Sequence, residues 1–254
     1  MNHRACITTG FTALTWYVHA HVRHSHWQRA MFALRRPDMA WRRVCGRDMI
    51  EISPDEIAPH LPPDPVILEA GACDGTDTAR FARRWPGAVI HSFEPVPPLY
   101  AEAAARTAGL PGVRLYPLAL SGAAGIAVMH AVDPGPSGNR GTSSLLMAAP
   151  LPGRPSARDV EVRAVTIAGW AQEQGVSRID FMWLDMEGME LAALKAAGPV
   201  LATVKVVCME VSREERHAGA PLYGEVTAWM RHRGFRVAID RVTLWFGNML
   251  FVRD

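Results

Sequence analysis

The stretch that most constrains this chain is Glu69-Ala70-Gly71-Ala72-Cys73-Asp74-Gly75-Thr76. An apolar run, Val66-Ile67-Leu68, leads into it, and Thr76 to Phe81 leads out as the start of a helix. A strand, a glycine turn and a helix N-terminus in that order leave backbone N–H groups unpaired and directed at a ligand. Gly71 and Gly75 let backbone come close to that ligand. Val89 to Phe93 reads as the next strand, with Glu94-Pro95 at its end. Glu94 follows the turn by about twenty residues, where a carboxylate holds ribose hydroxyls in a doubly wound sheet. Turn and acid together read as a nucleoside site.

The choice of nucleoside turns on Cys73. A dinucleotide fingerprint wants glycine at three places, G-x-G-x-x-G, and Cys73 stands at the middle one. That weakens a Rossmann-type NAD(P)-dependent oxidoreductase. Acid-x-Gly-x-x-x-Gly suits S-adenosyl-L-methionine better, because that cofactor carries an amino acid end and no pyrophosphate. Two other readings stand beside it: a non-catalytic nucleoside-binding protein, and a structural turn with no ligand.

The rest of the chain alternates strand and helix. Pro98 to Thr107 reads as the second helix, and Val113 to Leu120 as one strand ending at Ser121-Gly122. Ala124 to His130 and Val160 to Ala164 read as strands around a Gly/Pro/Ser loop, Asp133 to Asp159. A loop that long in a compact domain is functional or disordered. We expect a lid over the acceptor, with Ser143 and Ser144 at its ordered centre. Thr166 to Gln174 reads as a helix stopped by Gly175. Ile179 to Leu184 has the apolar character of a central parallel strand and ends in Asp185-Met186-Glu187-Gly188-Met189-Glu190. Leu191 to Ala197 reads as helix, Val204 to Met209 as a strand ending at Glu210, and Pro221 to Arg233 as helix. Phe235 to Ile239 and Asn248 to Val252 close the chain as strands.

Gly71, Glu94, Ser121, Asp185 and Glu210 are thereby expected along one sheet edge, where parallel α/β sheets place ligands. Several acids in one crevice must hold hydroxyls or a cation, and a sulfonium is a cation. Asp185 is the first candidate to orient an acceptor hydroxyl or take its proton. Glu187 and Glu190 also suit a helix N-terminus by charge. His217, in a polar segment after Glu210, reads as a base or a surface histidine.

Residues 1 to 48 differ. Up to Arg47 they hold eight arginines, five histidines and the single acid Asp38. His19, His21, His24 and His26 do not share one helical face and lack a Cys or carboxylate partner, so no metal site is expected. A signal peptide would need a stronger charged start and a cleavage site. We expect a basic N-terminal extension or cap over 1–48 and the catalytic domain over 49–254. Met31, Met39 and Met49 leave the starting residue open. Trp16, Trp27 and Trp41 would anchor a homo-oligomer if the extension forms its interface. A net charge of +2 argues against tight nucleic-acid binding. No run reaches the length of a membrane span, and four cysteines without a CxxC pair suit a reducing, cytoplasmic setting.

These residues resemble the FkbM-type S-adenosylmethionine-dependent methyltransferases. The matching segments are VILEAGACDGTDT (66–78), HSFEPVP (91–97), YPLALS (116–121), TSSL (142–145), IDFMWLDMEGMEL (179–191) and GNMLFVR (247–253). The resemblance implies an α/β, class I Rossmann-like fold: a doubly wound, mostly parallel sheet with an antiparallel C-terminal strand. It also implies O-methylation of a small hydroxylated acceptor, such as a sugar, glycan precursor or secondary metabolite. By resemblance Glu69, Gly71, Ala72 and Gly75, with Thr78 beside them, line the methionine end of the cofactor. Glu94 holds the ribose, Leu120 and Ser121 flank the adenine, and Asp185 and Glu187 face the reacting methyl. Ser143, Ser144, Glu210 and His217 are then candidates for the acceptor. Cys73 stands where many members carry Asn or His.

Overall fold

A computed structural model describes residues 51–132, 143–148 and 157–253. They belong to one compact unit, Ile50–Ala149 with Pro155–Asp254; a second, Met1–Met49 with Pro150–Arg154, lies outside the described residues. The histidines, tryptophans and start sites considered for the extension lie outside them too.

In chain order the elements are α1 (Pro54–Ile57), β1 (Val66–Ala70), α2 (Thr76–Arg84), β2 (Val89–Phe93), α3 (Pro97–Thr107), β3 (Val113–Tyr116), β4 (Ala119–Leu120), β5 (Gly125–Val132) and β6 (Ala157–Val165). They continue with α4 (Ile167–Gln174), β7 (Phe181–Leu184), α5 (Glu190–Lys195), β8 (Val206–Ser212), α6 (Tyr223–His232), β9 (Arg236–Asp240) and β10 (Phe246–Val252). The main sheet runs β3-β2-β1-β7-β8-β10-β9. Its first five strands pair in parallel, and β10 is antiparallel to both neighbours. This is the doubly wound sheet with an antiparallel C-terminal strand that the sequence implies.

Side-chain alternation on β7 divides the core. Phe181 and Trp183 join Ile67, Phe81, Val206 and Leu250 on the face covered by α1 and α2. Met182 and Leu184 join Leu68, Trp170, Leu194 and Met230 on the face covered by α4, α5 and α6. A strand covered on both faces must be apolar throughout, and all four residues of β7 are buried. The Phe81 ring meets Phe181 edge-on at 5.8 Å and Trp183 at 5.4 Å. Each such pair adds about 0.5–1.5 kcal/mol beyond its buried area. Helix α4 starts where the Thr166 hydroxyl accepts from Gly169 N at 3.0 Å and ends at Gly175, with φ +66°.

Three expectations change. The run Val113 to Leu120 is two strands. Pro117 has no N–H for the ladder, so β3 ends at Tyr116 and β4 leaves to pair with β6. Ser121 therefore donates its N–H to Val165 O at 2.9 Å in the smaller sheet, β4-β6-β5, and is not at a main-strand edge. Glu210 does not end its strand either. The partner β10 extends back to Phe246, opposite Ser212, so Glu210 lies inside β8 opposite Asn248. The expected loop keeps its start, since β5 runs to Val132, and is shorter at its far end, where β6 starts at Ala157.

Candidate active site

The turn after β1 binds itself to β2. Gly71 N and Ala72 N both donate to Phe93 O, at 3.1 and 3.0 Å. Cys73 N donates to Glu94 Oε2 at 2.8 Å, Gly75 N to Ala72 O at 2.8 Å, and Thr76 N to Asp74 Oδ1 at 3.1 Å. The sequence suggested free donors here, and these five are taken. A turn with spent donors makes a poor pyrophosphate cradle. Cys73 adopts a left-handed conformation (φ +51°), which costs a residue with a Cβ about 1–2 kcal/mol. Its bond to Glu94 helps to hold it there.

Gly71 is required by contact. A Cβ at this position would lie 1.9 Å from Asp185 O. Asp185 N in turn donates to Ala70 O at 3.0 Å. The ends of β1 and β7 are thus pressed together, and Asp185 leaves β7 beside the turn.

Under the turn, Glu69 is buried and its Oε2 accepts from Thr78 Oγ1 at 2.5 Å and Ser92 Oγ at 2.6 Å. Among the described residues nothing donates to its Oε1. Burial raises this carboxyl to about 7 against the two hydroxyl bonds. Glu94, also buried, accepts from Val96 N on Oε1 at 2.8 Å as well as from Cys73 N, and burial raises it to about 7.

The second half of the site is the turn 185–189. Asp185 is open to solvent while surrounded by protein. Lost hydration and the carboxylates of Glu187 and Glu190 push its carboxyl up, and Arg216 opposes them. Glu187 is left-handed (φ +52°) and buried. Ser144 Oγ donates to its carbonyl at 2.9 Å, which fixes the turn from outside. Glu190 Oε1 accepts from Met186 N at 2.8 Å, and its Oε2 from Gly188 N at 3.0 Å. Burial raises Glu190 to about 7. Arg216 lies 2.7 Å from Glu210 Oε1 and 3.7 Å from Glu187 Oε2; His217 Nδ1 is 3.8 Å from that same oxygen. Burial, then Asp185 and Glu187, drive Glu210 well up. Among the described residues no cluster of His, Cys, Asp and Glu is arranged to hold a metal ion.

One cleft of about 840 Å³, including its mouth, joins the two halves. Gly71, Ala72, Glu94, Leu120, Ser143 and Asp185 line it as expected sites. Glu187, Glu210 and His217 line a smaller hollow of about 370 Å³ on the other side of the same turn. Glu69, Gly75, Thr78, Ser121 and Ser144 line neither. Glu69 and Thr78 brace the turn from below, Gly75 keeps α2 close to Ala103, and Ser144 is a strut. Sequence reasoning missed the apolar wall of Val96, Leu99, Met129 and Leu145, and it missed Arg216. The wall comes from the smaller sheet and α3, whose pairing no local pattern reveals. Arg216 offered only its place beside His217.

The lining suits S-adenosylmethionine. The backbone of the Gly71–Cys73 turn borders the cleft, Glu94 offers a carboxylate at one end, and apolar side chains at Leu99, Leu118 and Leu120 suit a planar base. Among the described residues no helix is long and apolar enough to cross a membrane.

Comparison with known proteins agrees. The chain is 28% identical over 168 residues to the 2-O-methyltransferase NoeI of Sinorhizobium fredii (strain NBRC 101917 / NGR234), covering 62% of this chain and 67% of that one. Among solved structures, the FkbM methyltransferase of Methylobacillus flagellatus KT is similar at 12% identity and a TM-score of 0.46. That match covers 75% of this chain and 44% of the other, so this chain spans less than half of that protein. The N-terminal domain of EvdMO1, solved in the presence of SAH and D-fucose, is similar at 13% identity and a TM-score of 0.45, covering 78% of this chain and 79% of that one. The methyltransferase FkbM domain itself matches residues 69–237, well over half of the chain, and the protein belongs to this family of S-adenosylmethionine-dependent methyltransferases.

Proposed function

We propose that this methyltransferase acts on a hydroxyl oxygen of a small acceptor, of the sugar or glycan-precursor type. One observation carries the reading: a single cleft is lined at once by the Gly71–Cys73 turn, Glu94 and the Asp185 carboxyl. The oxygen specificity in NoeI's name supports a hydroxyl acceptor here as well. In this reading Gly71 and Ala72 lie along the methionine end, Glu94 holds the ribose hydroxyls, and Leu120 flanks the adenine. Bound S-adenosylmethionine supplies an electrophilic methyl group on a sulfonium. Asp185 takes the proton of the acceptor hydroxyl, and its raised affinity for protons makes it a better base near neutral pH than an ordinary carboxylate. Ser143 and Leu145 line the cleft, which supports reading the segment 143–148 as part of a lid. Holding the reactants in line contributes much of the rate, on the order of 7–11 kcal/mol.

Transfer of labelled methyl to a panel of neutral sugars, oligosaccharides, nucleotide sugars and hydroxylated metabolites tests the reading. Product on oxygen is expected. Product only on nitrogen or sulfur acceptors would overturn it. We also take residues 49–254 as the catalytic unit, so a chain shortened to begin at Met49 should still bind S-adenosylhomocysteine.

A further inference from the structure

Three elements converge on Arg216, which no motif marked. One guanidinium nitrogen is 2.7 Å from Glu210 of β8, another 3.7 Å from Glu187 of the 185–189 turn. The guanidinium carbon sits 4.0 Å from the centroid of Phe246, the first residue of β10. An arginine held on an aromatic face keeps its planar fork fixed, unlike a lysine on a flexible stem. The side chain is 21% exposed and that of Glu210 15%, so solvent screens the pair only partly.

The charges facing Asp185 come from several elements. Glu187 and Glu190 lie on its own turn, Asp77 on α2 and Glu210 on β8. Cys208 of β8 and Cys73 of the first turn also interact with it. His217 stands next to Glu187. Arg216 opposes the negative charge at Asp185 and Glu210, whereas Asp77 is paired with Arg80 at 2.7 Å.

We propose that Arg216 is a positioning residue for methyl transfer: it holds Glu210 and Glu187 as ion partners and so keeps the Asp185 carboxylate able to ionise beside them. The proposal rests on Asp185 being the base. It gives the second hollow a task, which is to balance charge behind the reacting group. Arg216 acts through its neighbours and needs no contact with the acceptor.

The test is a titration of the full chain labelled with 13C at aspartate carboxyls, followed by NMR, with Asp185→Asn identifying the resonance of Asp185. Arg216→Met should raise the midpoint of that resonance by about one pH unit, the low end for loss of a nearby opposite charge. Arg216→Lys keeps the charge without the fixed fork and should fall between the wild type and Arg216→Met, and adding Glu210→Gln to Arg216→Met should bring the midpoint back down. An unmoved midpoint in Arg216→Met, or one that Glu210→Gln does not lower, overturns the proposal. If Arg216→Met does not fold, Glu210→Gln and the double variant measure the same effect, because neither leaves the close partner Glu210 charged without its cation, and Glu187 stands farther off at 3.7 Å. The midpoint should then be higher in the double variant than in Glu210→Gln, and equal midpoints overturn the proposal. Failure of the base assignment looks different: Asp185→Asn would retain full turnover whatever the titration shows.

Discussion

The two ends of the cleft solve opposite problems. At the β1–β2 end, polar groups are partnered by neighbours close in sequence: Cys73 with Glu94, Val96 with Glu94, Thr78 and Ser92 with Glu69. At the β7 end, carboxylates from Asp185 to Glu210 crowd together and are steadied by Ser144, 43 residues from Glu187 in sequence, and by Arg216, which follows Glu210 by six residues and bridges it to Glu187. The first end is finished as a rigid cradle. The second keeps a charged group open to the cleft, at an electrostatic cost. A cradle can bind a fixed cofactor, whereas chemistry needs a group that changes protonation. The contrast predicts that substitutions at the first end alter binding and stability, and those at the second alter turnover.

The largest effect should come from the second end. Asp185→Asn should lower turnover by about 10²–10⁴-fold, the range for loss of a general base. Cofactor affinity, read by calorimetry with S-adenosylhomocysteine, should change little. A comparable loss of affinity would erase the division between the ends. Next is Gly71→Ala. The added Cβ would meet Asp185 O at 1.9 Å, and the residue has φ +86°. Overpacking and backbone strain each cost about 1–3 kcal/mol, so we expect roughly 2–6 kcal/mol of stability lost with cofactor binding impaired. An unchanged denaturation midpoint would show that the ends are not in contact in solution. Smaller again is Glu94→Gln, which should weaken S-adenosylhomocysteine binding by roughly 1.5–3 kcal/mol, the worth of a charged hydrogen bond. Wild-type protein at a hundredfold excess of that ligand should gain about 2.7 kcal/mol, and NAD should add none. Unaltered affinity in Glu94→Gln would remove Glu94 from the ribose.

The same contrast explains what the sequence revealed. The cradle was legible because its parts are local: strand, glycine turn, helix, strand and acid follow one another from Val66 to Glu94. The apolar run before Asp185 also announced a central strand. Those local signals also fit an oxidoreductase or a non-catalytic binder, and the domain match over 69–237 decides for a methyltransferase. What failed depended on pairing between distant segments. Pro117 was visible as a residue with no N–H, yet only β6, some forty residues on, shows where Ala119-Leu120 goes. Glu210 was placed one residue past a strand because the reach of β10 is not written in β8. Ser144 was read as an acceptor contact for its hydroxyl, and the partner of that hydroxyl is a carbonyl 43 residues away in sequence.

The smallest effects expected are changes in the pH dependence of stability, to which His91 and the buried carboxyls contribute with opposite signs. His91 is buried beside Tyr116, its Nδ1 3.0 Å from the phenol oxygen, and burial with the nearby Arg114 lowers it to about 4 from 6.5. The unfolded chain then binds a proton below 6.5 that the folded chain refuses until about 4. The contribution of His91 is therefore complete above 6.5 and fades as pH falls through about 4. Glu69 runs the other way. Its folded carboxyl keeps a proton up to about 7, whereas the ordinary value is 4.5. Its contribution is complete below 4.5 and fades as pH rises through about 7. Between these limits the slopes have opposite signs. Glu94 and Glu190, also raised to about 7, add to the slope of Glu69, so the wild-type melting temperature should decline from pH 4.5 towards 7. Glu69→Gln removes one of these slopes and should make the decline shallower. His91→Phe removes the opposing one and should make it steeper. If both variants keep the wild-type profile, the cradle owes nothing to these protons, and its rigidity comes from backbone hydrogen bonds alone.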